Sequence, residues 1–114
     1  MSAFQSTLAA LIRQRGVTGA LIVSERDGIV VDQAVQVGVR SEVVAALAAS
    51  LYRRARLAAE AAGFGDTGFL QLDAEQGRVC ALGRGDLVIV VVTEPAANIG
   101  LVRVEMIKGL EALP

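Results

Sequence analysis

The segment Leu87–Val92 constrains the fold more than any other part of this chain, because all six of its residues are apolar. It follows Gly83-Arg84-Gly85-Asp86, a sequence typical of a tight turn, and its length suits a strand better than a helix. A strand at a wetted surface alternates apolar and polar residues, whereas an uninterrupted apolar strand is covered on both faces. The sequence therefore predicts a central strand with further structure packed on each side of its sheet.

The rest of the chain divides into helices and strands at its turn residues. A first helix is predicted over residues 3–15, started by a capping box of Ser2 and Gln5. A second runs from Ser41 to about Ala62, without Gly or Pro, and ends at Gly63. Asn98 caps a final helix, whose apolar stripe is Ile99, Val102, Met106, Leu110 and Leu113. Four further segments read as strands: Gly19–Ser24, Ile29–Asp32, Gly68–Asp73 and Arg78–Leu82.

These elements predict one domain over residues 1–114, in the order α-β-β-α-β-β-β-α. Asp27-Gly28 joins the first two strands as a hairpin, and short turns join the last three as a meander. A central strand that needs cover on both faces requires three helices to divide between the two sides of the sheet. The predicted fold class is α+β, an α/β sandwich with helices on both faces of a five-stranded, mostly antiparallel sheet.

The composition excludes several kinds of chemistry. The 114 residues include no His and one Cys, so the chain offers no His-based triad, no His metal site and no internal disulfide. A net charge of −1 gives no basis for nucleic-acid binding, and no apolar run approaches the roughly 18 residues that span a bilayer. We expect no enzymatic activity, catalytic residue, cofactor, metal or membrane insertion. The lone thiol and an N-terminal segment without a basic run favour the cytoplasm.

The same composition indicates self-association. Hydrophobic residues make up 54% of a chain of 114 residues. Small domains bury a smaller share of their surface than large ones, so this chain has more apolar surface than it can easily hide.

Several motifs resemble functional sites but are better explained by structure. Gly63-Phe64-Gly65-Asp66-Thr67-Gly68 matches G-x-G-x-x-G, but a helix precedes it, whereas a dinucleotide site needs a strand before it and a helix after it. Arg84-Gly85-Asp86 consists of ordinary turn residues. Cys80 is expected to be a buried structural thiol. Glu25, Asp27 and Asp32 lack regular cation-ligand spacing, which favours a solvated turn over a metal site.

The second helix carries three stripes at helical spacing. The stripe predicted to face the core consists of Val43, Val44, Leu47, Leu51, Ala58 and Ala62. The opposite, polar face consists of Glu42, Arg53, Arg56 and Glu60. Between them lie small residues and one tyrosine, which favour close contact with a partner: Ala45, Ala48, Tyr52, Ala55 and Ala59. Alternatively, these alanines only raise helix propensity on a solvated flank.

The chain resembles the Roadblock family, named for dynein light chain roadblock, and its MglB-type members, over about residues 4–110. The most specific part is the first hairpin, Gly19–Asp32, supported by Gly65 before the third strand and by the closing segment Asn98–Arg103. The resemblance implies a five-stranded antiparallel sheet with one long helix on one face and two on the other. It also implies homodimers or heterodimers, often formed by joining edge strands with the long helices side by side, and no catalytic triad or metal centre.

Many members of this family bind small Ras-like GTPases and alter their nucleotide hydrolysis, exchange or placement, so the resemblance implies that kind of partner. The first hypothesis is a homodimeric, non-catalytic module that docks a GTPase on its long helices. The predicted interface residues are Ala45, Ala48, Tyr52, Arg53, Ala55, Arg56 and Ala59. Arg53 and Arg56 are the outward candidates for an arginine finger. The alternatives are a structural adapter of a motor or kinase complex and, less favoured, a small-molecule sensor of the PAS or profilin-like kind.

Overall fold

A computed structural model describes residues 3–113 of the chain. Its elements follow the predicted order α-β-β-α-β-β-β-α. The helices are α1 (Ala3–Ile12), α2 (Ser41–Ala61) and α3 (Ile99–Ala112). The strands are β1 (Val17–Ser24), β2 (Val30–Val35), β3 (Leu70–Ala74), β4 (Gly77–Arg84) and β5 (Leu87–Thr93). Helix α1 ends three residues earlier than predicted and β2 extends three residues further, while Ser2 of the predicted capping box lies outside the described residues.

The sheet confirms the central position predicted for the apolar strand. Its strand order is β2-β1-β5-β4-β3, and every neighbouring pair is antiparallel. Val88 and Val90 of β5 are buried on the side of α2, and Ile89 and Val91 on the side of α1 and α3. Both faces of β5 are therefore covered, as the uninterrupted apolar sequence requires. The two edges of the sheet are β2 and β3.

Helix α3 also follows the prediction. The Asn98 side chain accepts a hydrogen bond from the Leu101 backbone N–H at 3.2 Å and caps the helix. Val102, Met106 and Leu113 are buried, and the two remaining stripe residues, Ile99 and Leu110, pack against the same core. Among residues 3–113, no helix has the length and apolar character needed to cross a bilayer.

The core stripe predicted for α2 is wrong for every residue except Val44, which packs against the core. Its buried residues are Ser41, Ala45, Ala48, Ala49 and Tyr52, whereas the predicted core residues Val43, Leu47 and Leu51 are exposed. The physical reason lies in the sheet, since β1 and β5 present large side chains to α2, including Leu21, Val23, Val88 and Val90. These side chains fill the space between the layers, so apart from Tyr52 the helix packs closely through small residues.

The β1–β2 turn fixes one side of α2 by a backbone approach. Gly28 has φ +70°, and a Cβ built on it would lie 3.1 Å from the Ala46 Cα. Such a contact with backbone leaves little room for adjustment, and the left-handed conformation itself disfavours a side chain. Gly28 therefore sets how closely this hairpin and α2 can pack.

We expect Gly28→Ala to lower the free energy of unfolding by about 2–3 kcal/mol, combining left-handed strain with the contact at Ala46. The matched control is Gly85→Ala, because Gly85 has φ +61° but open space around its Cβ position. The control carries backbone strain alone and should lose about 1 kcal/mol. Urea unfolding measures both variants. Equal losses in the free energy of unfolding would show that the contact with Ala46 adds nothing to the backbone strain.

Candidate protein-interaction surface

An apolar groove lies between the outer side of α2 and the edge strand β3. Its apolar lining includes Val43, Leu47 and Leu51 from the helix and Leu72 from the strand, and its volume is about 370 Å³. All four side chains are exposed, with Leu47 at 60%. We call these four residues the α2–β3 groove. An apolar surface of this kind, adjoining an unpaired strand edge, is typical of a protein interface.

The pairing of β3 explains why Leu72 belongs to this groove. Leu70 pairs with Ala81 and Leu72 with Val79, so alternate β3 residues point to the face covered by α2. No further strand lies beyond β3 in the described sheet, and the helix does not reach far enough to cover Leu72. The groove therefore opens directly at the free edge of the sheet.

Three of the seven predicted interface residues are not available to a partner. Ala45, Ala48 and Tyr52 are buried against the chain's own sheet, so their predicted exposure is wrong. Ala55 and Ala59 are half-buried beside them, at the border of the packed face. Arg53 is exposed and Arg56 half-buried, on the flank of α2 that adjoins the β1–β2 turn. The partner-binding role of these last four residues remains a prediction.

Tyr52 serves the fold through both its ring and its hydroxyl. A Cβ built on Gly83 of β4 would lie 2.9 Å from the Tyr52 Cε2 atom, so the ring fills the space that this glycine leaves. The hydroxyl accepts a hydrogen bond from the Gly83 N–H at 2.9 Å and donates one to the Thr67 carbonyl at 3.3 Å. Tyr52 thereby ties α2 to β4 and to the loop before β3.

We expect Tyr52→Phe to lower the free energy of unfolding by about 1–2 kcal/mol, because the Gly83 N–H loses its acceptor in a half-buried site. Ring packing on Gly83 is preserved, so the loss reports the hydroxyl alone. Urea unfolding measures the loss, and Ser50→Ala is the control on α2. Unchanged stability would show that water replaces the hydroxyl at no cost.

The two candidate arginines differ in the groups that their guanidinium ions contact. The Arg56 guanidinium pairs with the Glu25 carboxylate at 2.6 Å, and this hydrogen bond and charge raise the pKa of Arg56. Arg53 donates a hydrogen bond of 3.4 Å to the Arg26 carbonyl and forms no ion pair among the described residues. Arg53 is therefore the freer of the two to meet a negative group on a partner.

The remaining candidate groups have structural surroundings. Burial raises the pKa of the Cys80 thiol to about 11, which keeps it protonated and unreactive at neutral pH. Within residues 3–113, no group of three or more His, Cys, Asp or Glu residues is placed to hold a metal ion. The glycine-rich loop follows the C-terminus of α2, where the helix dipole is negative and repels phosphate. Cys80 and the glycine-rich loop therefore have structural surroundings.

The sequence-based prediction places three of the four groove residues, Val43, Leu47 and Leu51, in the core. The available signal was that α2 has apolar residues on two separate stripes, of which the sheet can cover only one. Helical spacing alone puts Val43, Leu47 and Leu51 on one stripe and predicts that this stripe faces the interior. Because side chains of the sheet already fill the space beneath the helix, the smaller residues Ala45 and Ala48 are buried instead.

The model of the Roadblock/LC7 domain family matches residues 3–93. An uncharacterized protein of Methanocaldococcus jannaschii is 27% identical over 106 residues, covering 93% of this chain and 92% of its own length. A Roadblock/LC7 domain from Streptomyces avermitilis superposes with a TM-score of 0.87 at 20% identity, covering 97% of this chain and 94% of that one. Myxococcus xanthus MglB superposes with a TM-score of 0.84 at 17% identity, covering 96% and 84% respectively. These structural likenesses establish a shared fold.

Proposed function

Because the chain belongs to the Roadblock/LC7 domain family, we propose that it is a non-catalytic, homodimeric module that binds a small Ras-like GTPase in the cytoplasm. In this role it modulates the nucleotide cycle or the localisation of the GTPase. The observation that carries the proposal is the α2–β3 groove, an apolar surface that the single chain leaves open. A second copy at the β3 edge would cover it.

The two sheet edges differ in their suitability for pairing. The register between β1 and β2 shifts between Ile22 and Val23, which marks a bulge at the β2 edge. A bulge is one of the devices by which proteins protect a strand edge from pairing. The β3–β4 register is regular, and Leu72 lies at the centre of β3. These differences favour β3 as the edge that pairs in the dimer.

The symmetry of such a dimer follows from the edge. Two identical β3 edges join in one sheet when they run antiparallel about a twofold axis perpendicular to the sheet. That axis keeps both α2 helices on the same face and makes them antiparallel. The two α2–β3 grooves then meet across the axis, and the outer surfaces of both helices form one platform for the GTPase.

The dimer would act on the bound GTPase through differential affinity. A module that binds one arrangement of the switch loops more tightly than the other shifts the GTPase toward the favoured arrangement. Arg53, exposed and without an ion pair among the described residues, is the side chain best placed to meet a negative group there.

The test is a binding and turnover assay with a small GTPase encoded in the same genome. Binding that depends on whether GDP or a GTP analogue is loaded, with altered GTP turnover, supports the proposal. Arg53→Ala should weaken binding while Arg13→Ala, in the segment after α1, leaves it unchanged. Stable binding to a scaffold protein without nucleotide dependence would instead support the adapter role, and a monomeric protein that binds no GTPase contradicts the proposal.

A further inference from the structure

One charged side chain lies among the apolar residues of the α2–β3 groove. Arg54 lines this groove together with Leu47, Leu51 and Leu72. It is exposed, and among residues 3–113 its guanidinium has no hydrogen bond and no ion pair. A cation that an apolar surface covers needs a negative partner, because desolvation without one is costly. The surface that covers the groove is therefore expected to bring a carboxylate to Arg54.

The position of Arg54 along the sheet edge follows from its neighbours. Two residues earlier on α2, the Tyr52 hydroxyl donates a hydrogen bond to the Thr67 carbonyl, just before β3 begins. Val43, near the N-terminus of α2, lines the groove with Leu72 in the middle of β3. Helix α2 and strand β3 thus run in opposite directions, and Arg54 lies beside the beginning of the strand.

Twofold pairing of two β3 edges brings the end of one strand to the beginning of the other. Strand β3 has five residues, so full overlap of two antiparallel copies sets Leu70 of one protomer opposite Ala74 of its partner. The turn that follows Ala74 is Glu75-Gln76, since Ala74 pairs with Gly77 of β4. In the dimer this turn therefore lies beside the beginning of the other β3, on the side where Arg54 is placed.

Glu75 is available for a contact with a second copy. It is exposed, and within the described part of the chain its carboxylate has no hydrogen bond and no ion pair. The other acidic residue near this end of the edge, Asp73, already pairs with Arg78 at 3.2 Å. An unpaired cation beside the beginning of β3 and an unpaired anion after its end make two copies complementary in charge.

We propose that Arg54 of each protomer forms an ion pair with Glu75 of the partner subunit, once at each end of the joined β3 strands. The inference rests on the proposed homodimer, and it adds the residues by which this edge selects a second copy of the same chain. A related chain without the complementary charge at either position loses at least one of the two ion pairs. The two pairs thereby favour homodimers over heterodimers.

Charge reversal tests the pair, with dimer dissociation constants measured by sedimentation equilibrium. Arg54→Glu and Glu75→Arg each replace two attractions in the dimer by two repulsions, so each should raise the dissociation constant at least about tenfold. The controls Arg13→Glu, after α1, and Glu111→Arg, on α3, change the net charge by the same amounts at exposed positions on the opposite layer. Both controls should leave the dissociation constant unchanged, and circular dichroism checks that every variant is folded.

Mixing the two single variants separates a contact between protomers from one within a chain. Each homodimer in the mixture has two repulsive contacts, whereas a mixed dimer of Arg54→Glu with Glu75→Arg has two attractive ones. We expect the mixture to associate with near wild-type affinity, and the double variant Arg54→Glu/Glu75→Arg to regain the same affinity. An ion pair within one chain would be restored in the double variant but not by mixing.

The outcomes also separate this inference from the proposed homodimer. If the two charge reversals leave dimer affinity unchanged, or weaken the dimer without recovery on mixing, the Arg54–Glu75 pair is overturned while the homodimer stands. A wild-type protein that is monomeric at every concentration overturns both.

Discussion

Replacing Leu47 by Asp is expected to convert the dimer into folded monomers. In the monomer the Leu47 side chain is largely exposed, so the new carboxylate is solvated and the core is unchanged. In the dimer the same carboxylate would be buried, unpaired, between two apolar α2–β3 grooves. That penalty should reach at least about 3 kcal/mol, which corresponds to more than a hundredfold weaker dimer.

Sedimentation or light scattering gives the mass of Leu47→Asp, and circular dichroism shows whether the monomer is folded. The control is Leu101→Asp, which adds the same charge at an exposed leucine on the opposite layer and should leave the dimer intact. If Leu47→Asp remains a dimer of wild-type affinity, the association surface lies elsewhere on the molecule.

Enlarging Ala45 to Leu is expected to destabilise the fold by about 2–3 kcal/mol. Ala45 has no exposed surface and packs in the same cluster as Leu21, Val88 and Val90 of the sheet. The larger side chain must displace α2 or force neighbouring side chains from their preferred rotamers. Urea unfolding of the monomeric Leu47→Asp background measures the effect without a contribution from association.

Ala58→Leu is the matched control for Ala45→Leu, because Ala58 lies on the exposed side of the same helix. It should change monomer stability by less than about 0.5 kcal/mol. The pair also distinguishes the two interpretations of the alanine stripe. Suppose that Ala45→Leu leaves the stability of the monomeric background unchanged but alters dimer affinity in the protein that keeps Leu47. The alanine stripe would then contact a partner.

The sequence predicted the sheet better than it predicted the outer surface. The apolar run of β5 and the stripe of α3 carry unambiguous signals, because each has only one arrangement that hides its large side chains. The sites of the glycine turns followed as well, since Gly28 and Gly63 both adopt the positive φ that their positions require. These elements depend on local sequence or on the simple need for burial.

The faces of α2 could not be assigned in this way. Hydrophobic periodicity ranks Val43 and Leu47 above Ala45 and Ala48, but it contains no information about the space left by Leu21 and Val88 of the sheet. Burial of α2 is a property of two layers together, and the second layer is assembled from strands distant in sequence. The groove residue Leu72 was missed for the same reason, because its exposure depends on β3 being an edge.

Because α2 packs closely on the sheet, its two sides permit different amino-acid substitutions. Most positions on the sheet-facing side of α2 have room only for small side chains, and the exception, Tyr52, fits because Gly83 leaves space for its ring. The outward positions carry no such steric restriction from the fold. Substitutions there can retune which molecules the domain associates with while its architecture stays fixed, so the scaffold separates diversification of contacts from the risk of misfolding.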